Sequence, residues 1–242
     1  MRIILLLFLA VFSFSYHIEA DYEAKYGWFG TIATAQGRLE KNETYYKITA
    51  NVKTKGIAST FSGHLQQTYI SEGIIKNGRF VPLKYIMNIK RKGNNYLRIY
   101  LFDHKNKIII KKRYKNGKLT KEYKYYYTPD DILTLYWNLP LYLSKEKKEL
   151  YTFYAIGGRK KDGRIDVTFP TKEEVKKLRK KLFNKKGIYI KANLYNKVFA
   201  GDKGILYLVI NPQNWVTLSG MVKNVMKIGD LRGKVINIKE KD

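Results

Sequence analysis

Residues 123–140, YKYYYTPDDILTLYWNLP, place six aromatic side chains around two adjacent carboxylates, and the fold turns on how they are read. The aromatics divide between the end of a strand, at Tyr123–Tyr127, and one face of a short helix. Thr128 can cap, Pro129 suits the first helical position, and Asp131 falls three residues after Thr128 as in a capping box. Ile132, Leu135, Tyr136 and Leu139 follow at i, i+3, i+4 and i+7, and Pro140 limits continuation. The spacing predicts a helix of about three turns with one apolar face. Adjacent residues on a helix point about 100° apart, so Asp130 and Asp131 cannot both flank one scissile bond. At the first turn both stabilise the positive end of the helix dipole, and capping is the expected role.

Upstream of this stretch the chain alternates. In LKYIMNIK, Leu83, Tyr85, Met87 and Ile89 share one face while Lys84, Asn88 and Lys90 take the other. In NYLRIYLF, Leu97, Ile99 and Leu101 oppose Tyr96, Arg98, Tyr100 and Phe102. A period of 2 is the signature of half-buried antiparallel strands. Turn signals fall at Asn77-Gly78, Gly93-Asn94-Asn95, His104-Lys105-Asn106 and Asn116-Gly117. The Asn-Gly pairs suit type I′ hairpins, whose central residues both need positive φ. Residues 66–127 are therefore expected to form a continuous β-meander. The earlier stretches YEAKYGWFG, TIATAQGRLE and TYYKITANVKT read the same way, with a turn at Asn42-Glu43.

Downstream, TKEEVKKLRKKLFNKKG repeats the capping-box spacing at Thr171 and Glu174. Val175, Leu178 and Leu182 form its apolar stripe, its outer face is Lys- and Arg-rich, and Gly187 is its expected end. GILYLVIN, from Gly204 to Asn211, is the most apolar strand and is expected at the centre of the sheet. One sheet-dominated domain with two inserted helices is the economical architecture.

The chain opens MRIILLLFLAVFSFSYHIEADYE. Arg2, the apolar run Ile3–Phe14, and Ile18 and Ala20 at −3 and −1 of a cleavage site read as a secretory signal peptide over residues 1–20. The run is short of the roughly 18 residues that span a bilayer. The exported domain is expected to cover residues 21–242. With no Cys, disulfides, thiolate metal sites and lipid attachment through a thiol are excluded. The balance of 47 Lys plus Arg against 20 Asp plus Glu would point to nucleic acid in a cytosolic protein. Export removes that partner. Spread along the whole chain, the excess leaves solubility, or attraction to anionic lipid, lipopolysaccharide or an acidic glycan with peripheral membrane contact.

Catalytic signals are sparse. Beyond residue 20 the histidines are His64 and His104. Ser59, Ser62 and Ser71 are nominal nucleophiles, but none sits in a G-x-S-x-G elbow. There is no H-E-x-x-H and no D-x-D-x-D-G loop, so no metal or cofactor is expected. The segment AIGGRKKDGR reads either as an ordinary hairpin loop or as a candidate anion site built from Arg159, Lys160, Lys161 and Arg164.

Three stretches together carry a family resemblance: Tyr22 to Gly37, TPDDILTLYWNLP, and Gly201 to Val225. The chain resembles a family of exported proteins of Gram-negative bacteria catalogued only as a domain of unknown function. It departs at Asn138, where the family carries Arg, and at Trp215-Val216, where it carries Pro. The resemblance agrees with a mainly β (α+β) fold: a single curved antiparallel sheet or partly open barrel wrapped around a short helix, with a second, Lys-rich helix. That shape is similar to the periplasmic carriers of lipoprotein sorting, and it implies no catalytic residues. A curved sheet capped by an amphipathic helix encloses an apolar space. The expected function is a non-enzymatic periplasmic binding or carrier module for an apolar or amphipathic envelope component such as lipid. Tyr26, Trp28, Phe29, Leu135, Tyr136 and Trp137 are the candidate lining residues. The rival expectation is an envelope interaction protein that docks on an anionic polymer, lipopolysaccharide or a protein partner through its basic surface.

Overall fold

The computed structural model describes residues 15–144, 148–194, 204–225 and 229–241. The apolar run Ile3–Phe14 lies outside them. Strand β1 (Tyr16–Tyr26) passes through a 3-10 turn at Gly27–Phe29 into β2 (Thr31–Lys41) and β3 (Tyr45–Thr54). A short helix α1 (Gly56–Ser62) precedes β4 (Gln66–Lys76), β5 (Arg79–Arg91), β6 (Asn94–Asp103), β7 (Ile108–Lys115) and β8 (Lys118–Tyr125). The two-residue strand β9 (Asp130–Asp131) leads into α2 (Ile132–Ser144), β10 (Tyr151–Ile156) and β11 (Arg164–Thr168). Helix α3 (Lys172–Arg179) precedes β12 (Ile188–Leu194), β13 (Gly204–Ile210), β14 (Thr217–Val225) and β15 (Gly229–Lys241).

All fifteen strands form one curved, unclosed sheet in the order β8-β7-β6-β5-β4-β3-β2-β1-β15-β14-β13-β12-β11-β10-β9. Only the short β9–β10 pair is parallel among the described pairings. The expected meander is present as β4–β8. Asn77-Gly78 (φ 51° and 72°) and Asn116-Gly117 (φ 50° and 81°) make the positive-φ hairpins the sequence announces. The third tight turn falls on Lys92-Gly93 (φ 49° and 71°), earlier than the Gly93-Asn94-Asn95 expectation, because Asn94 and Asn95 already pair in β6.

The alternation in β5 is interrupted. Gly73 pairs with Pro82 and Glu72 with Lys84, so Leu83 is the extra residue of a bulge and turns outward while Tyr85 enters the core. Gly73 is required there, because a Cβ would lie 2.0 Å from the Val81 carbonyl oxygen. In β6 the buried side is the aromatic one, with Tyr100 and Phe102 inward and Leu101 exposed. β13 is internal to the sheet, but the middle strand is β1, paired over its length with both β2 and β15. Sequence alternation does not reveal this, because the partner β15 lies more than 200 residues away.

Helix α2 threads the concave face and packs on three sides. Leu135 and Leu139 join Tyr151, Ile165 and Ile190; Leu133 and Trp137 pack against Ile18, Leu39, Ile48 and Val216; Ile132 and Leu133 meet Tyr85, Tyr100 and Ile109. The expected single apolar face is thus too narrow a reading. The helix also starts later and ends later than expected. It runs through Pro140 to Ser144, because tertiary contacts hold the turn that Pro weakens. Tyr142 stacks on Phe153 at 5.4 Å and its hydroxyl donates to Asp130.

α3 has the expected capping box between Thr171 and Glu174. It stops at Arg179 rather than at Gly187, and the left-handed residues Phe183 and Asn184 turn the chain so that Leu182 is buried beside Leu178, Tyr207 and Met221. Helix α1 was not signalled in the sequence: its N-cap, Lys55, makes no side-chain cap.

Candidate functional site

The paired aspartates lie at the heart of the molecule and do different work. Asp130 and Asp131 bridge to Ala155 and Ile156 of β10, an extended conformation that points their side chains to opposite sides. Asp131, not Thr128, is the cap of α2: its Oδ1 accepts the N–H groups of Leu133 (2.9 Å) and Thr134 (3.1 Å). Its Oδ2 accepts the hydroxyls of Ser71 (2.6 Å) and Thr134 (2.8 Å), and Tyr46 closes the cluster on Thr134 at 2.9 Å. Thr128 donates instead to the Asp130 carbonyl. Burial raises the Asp131 carboxyl to about 6, against the lowering effect of these hydrogen bonds.

Asp130 faces the other way. Arg79 reaches it at 2.9 Å, Tyr142 donates to it at 2.9 Å and Asn138 at 3.2 Å. Burial raises its carboxyl despite Arg79. Asn138 also clasps the backbone of Phe80, accepting from its N–H at 3.0 Å and donating to its carbonyl at 2.9 Å. With both carboxylates sealed by protein groups, this centre joins α2 to β4, β5 and β10 and offers no open face for a substrate.

Beside it lies a crevice of about 150 Å³ between α2 and the middle of the sheet. Leu133, Tyr136 and Trp137 form its helix side; Ile18, Ala20, Tyr22, Gly37, Ile48, Ala50 and Val216 are among its sheet side. The hollow has a simple origin. Ala20 pairs with Gly37 and Gly37 with Ala50, so three small residues stand in one row across three strands. A Cβ on Gly37 would meet only a Tyr22 ring carbon at 3.8 Å, so the space beneath the helix is real room. Tyr136 is fixed at the rim by its hydroxyl, which donates to the Trp215 carbonyl and meets Thr217 Oγ1 at 2.8 Å, and its ring lies edge-on to Trp137 at 5.6 Å.

Of the lining residues read from the sequence, the structure brings Tyr136 and Trp137 to this crevice. Leu135 is on the opposite side of the helix in the core. Tyr26 and Phe29 stack on each other at 6.3 Å at the far end of β1, and Phe29 is exposed. Trp28 is in the turn between them, with its side chain outside the described residues. The small-residue row was missed because Ala20, Gly37 and Ala50 become neighbours only through strand register.

A larger hollow of about 450 Å³ crosses β1–β4 and β15. Strand alternation directs its Asp21, Gln36, Asn51 and Thr68 away from α2. Gln36 donates to Asp21 and Thr68 to Asn51, so these polar groups are largely satisfied by one another.

The cationic loop divides. Arg159 is bonded to Asp162 and Arg164 to Asp166 (2.9 Å), so both guanidiniums are held within their own hairpin. Lys160 and Lys161 are exposed. Ser59 and His64 come within 3.1 Å at the exposed end of α1, but among the described residues no carboxylate holds the other ring nitrogen. His104 is clamped between the Pro82 carbonyl and the Tyr127 hydroxyl. Among the described residues no group of three or more His, Asp or Glu is placed to hold a metal ion, and no helix is long and apolar enough to cross a membrane.

A family model described as "Protein of unknown function (DUF3108)" matches residues 21–231. Among solved structures, the crystal structure of a beta-barrel-like protein of domain of unknown function DUF1849 from Brucella abortus is similar, with a TM-score of 0.53 at 10% identity, covering 95% of this chain and 100% of that one. At that identity the likeness shows the fold alone. No curated protein matches.

Proposed function

The chain belongs to the DUF3108 family of proteins of unknown function, and on that premise we propose that it is a non-enzymatic envelope module that binds part of an apolar or amphipathic component such as a lipid. Export to the periplasm of a Gram-negative cell is part of the same reading and is supported by the leader-like pattern of Arg2 and the apolar run Ile3–Phe14. The observation that carries the proposal is the crevice under α2, formed by a row of small residues where a packed sheet would place large ones. Its volume, about 150 Å³, is that of a cavity known to hold one benzene-sized group. A whole lipid does not fit. One ring or the end of one acyl chain does, with the rest of the molecule lying along the concave face.

Docking through the basic surface is the weaker reading at α3. Its apolar stripe is already used by the core, since Leu178 and Leu182 are buried against Val209 and Met221, and only its charged face remains for a partner.

Gly37→Val tests the crevice without removing a core contact, because the new side chain grows into open space and β-branched residues suit strands. Titration with the neutral probe N-phenyl-1-naphthylamine, followed by probe and Trp fluorescence, should show saturable binding to the native protein. Binding should weaken at least tenfold in the variant at an unchanged urea midpoint. Absence of saturable binding, or equal affinity in the two proteins, removes the site. Native mass spectrometry with lipid extraction of protein purified from its own envelope then identifies the natural occupant.

A further inference from the structure

The concave face of β6–β8 carries a second arrangement, in which cations stand beside the aromatic edge of the core and away from the crevice. Arg98 pairs in register with Arg113, and Arg113 with Lys121, so three cations stand side by side on neighbouring strands. Like charges directly opposite one another are destabilising. Two residues along, Lys111 stands between Tyr100 and Tyr123 in the next row. Its ammonium lies 4.1 Å from the centroid of the Tyr125 ring, 5.0 Å from that of Tyr100 and 5.7 Å from that of Tyr123.

Among the described residues, none of Arg98, Lys111 and Arg113 forms an ion pair with a carboxylate. The contrast with the opposite face of the same strand is direct: Lys112 pairs with Glu122 at 3.3 Å. The acid of this hairpin is placed on the outer side, and the inner cations are left uncompensated. Lys111 is half-buried, and desolvation, followed by Arg98, Arg113 and Lys160, lowers it to about 8. Lys160 acts from the loop between β10 and β11, which the Tyr126 hydroxyl ties to this end of the sheet through the Arg159 carbonyl at 3.3 Å. The loop lysine singled out in the sequence therefore belongs with this cluster, while Arg159 and Arg164 do not.

We propose that Arg98, Arg113 and Lys111, walled by Tyr100, Tyr123 and Tyr125, form a binding site for a phosphate-type oxyanion. Two guanidiniums provide planar forks matched to phosphate oxygens, and the ammonium adds a point charge over an aromatic floor. Partial burial of Arg98 and Lys111 strengthens their interactions relative to open water, while Arg113 stands at the exposed side of the cluster. The oxyanion is either free phosphate or the headgroup of an anionic lipid. The site stands independently of the crevice, and either can fail without the other.

The test is a pair of titrations of the full chain, by calorimetry with inorganic pyrophosphate and by sedimentation with vesicles of phosphatidylcholine with and without phosphatidate. The Arg98→Gln/Arg113→Gln double variant is compared with a Lys47→Gln/Lys84→Gln control that removes the same charge elsewhere. Saturable binding that falls at least tenfold in the first variant and less than twofold in the control is expected. Binding of pyrophosphate assigns a free anion, and binding of phosphatidate vesicles alone assigns a headgroup. Equal losses in the two variants, or no binding in either titration, overturn the site. Misfolding is not an escape: removing two facing like charges should leave the anion-free variant at least as stable to urea as the native protein, whereas a purely structural cluster predicts a clear loss.

Discussion

Asp131 receives four hydrogen bonds and, among the described residues, no counter-ion. Its carboxyl is raised from an ordinary 3.8 to about 6 by burial. A group raised on folding contributes stability that is complete below its unfolded pKa, near pH 4, and is lost as the pH rises through about 6. Two units correspond to roughly 3 kcal/mol. Asp131→Asn keeps a side-chain carbonyl for the cap, and its amide can donate to the Ser71 and Thr134 hydroxyls. Urea unfolding from pH 4 to pH 7 should show the native protein losing more stability than the variant by a few kcal/mol; parallel profiles would mean that Asp131 does not titrate in the fold. Asp131→Ala should cost more at every pH, since it removes the cap and leaves buried hydroxyls without their acceptor. The sequence marked these aspartates as helix-start chemistry. It gave the cap to Thr128 because the bridge of Asp130 and Asp131 to β10, which delays the helix, depends on residues 25 positions away.

At the scale of elements, β1 has the largest consequence. Of Tyr16–Ala20, the segment that a leader ending at Ala20 would remove, His17–Ala20 is paired on both sides with β2 and β15, and Tyr16 with β2. Ile18 is 1% exposed and Ala20 4% exposed, and Glu19 accepts two hydrogen bonds from Arg38. A chain starting at Asp21 forfeits the burial of Ile18, about 2 kcal/mol, and leaves Leu39, Ile48 and Ile238 without a neighbour. It should unfold at a clearly lower urea concentration than a chain starting at Tyr16, with a total loss of about 3 kcal/mol or more once pairing is included. Equal midpoints would show that Tyr16–Ala20 lies outside the cooperative unit. For protein recovered from the envelope, N-terminal sequencing should therefore find a start at or before Tyr16. Strands and tight turns were legible because alternation and Asn-Gly are local signals. The neighbours of β1, the small row beneath α2 and the cation row of β6–β8 were not, because each is assembled by register between distant segments.

At the scale of the molecule, an unclosed sheet has two free edges and needs something to fix its curvature. β8 is an edge whose exposed Lys118 and Lys124 oppose pairing with another chain. Part of the positive charge thus has a negative role, and the charge total alone could not separate it from the inward cluster. Curvature is held from inside by α2, whose Ile132 and Leu133 between them touch three hydrophobic clusters drawn from both ends of the sheet. If the helix is the common element, loosening it should be felt throughout. Leu133→Ala should lower stability by about 2 kcal/mol and keep a single urea transition, and hydrogen exchange monitored by mass spectrometry should speed up in β1–β3, β5–β7 and β10–β13 together. Acceleration confined to β1–β7 and β15, from which most of the clusters around Leu133 are drawn, or a second transition, would show instead that the two arms of the sheet fold separately and that α2 merely rests between them.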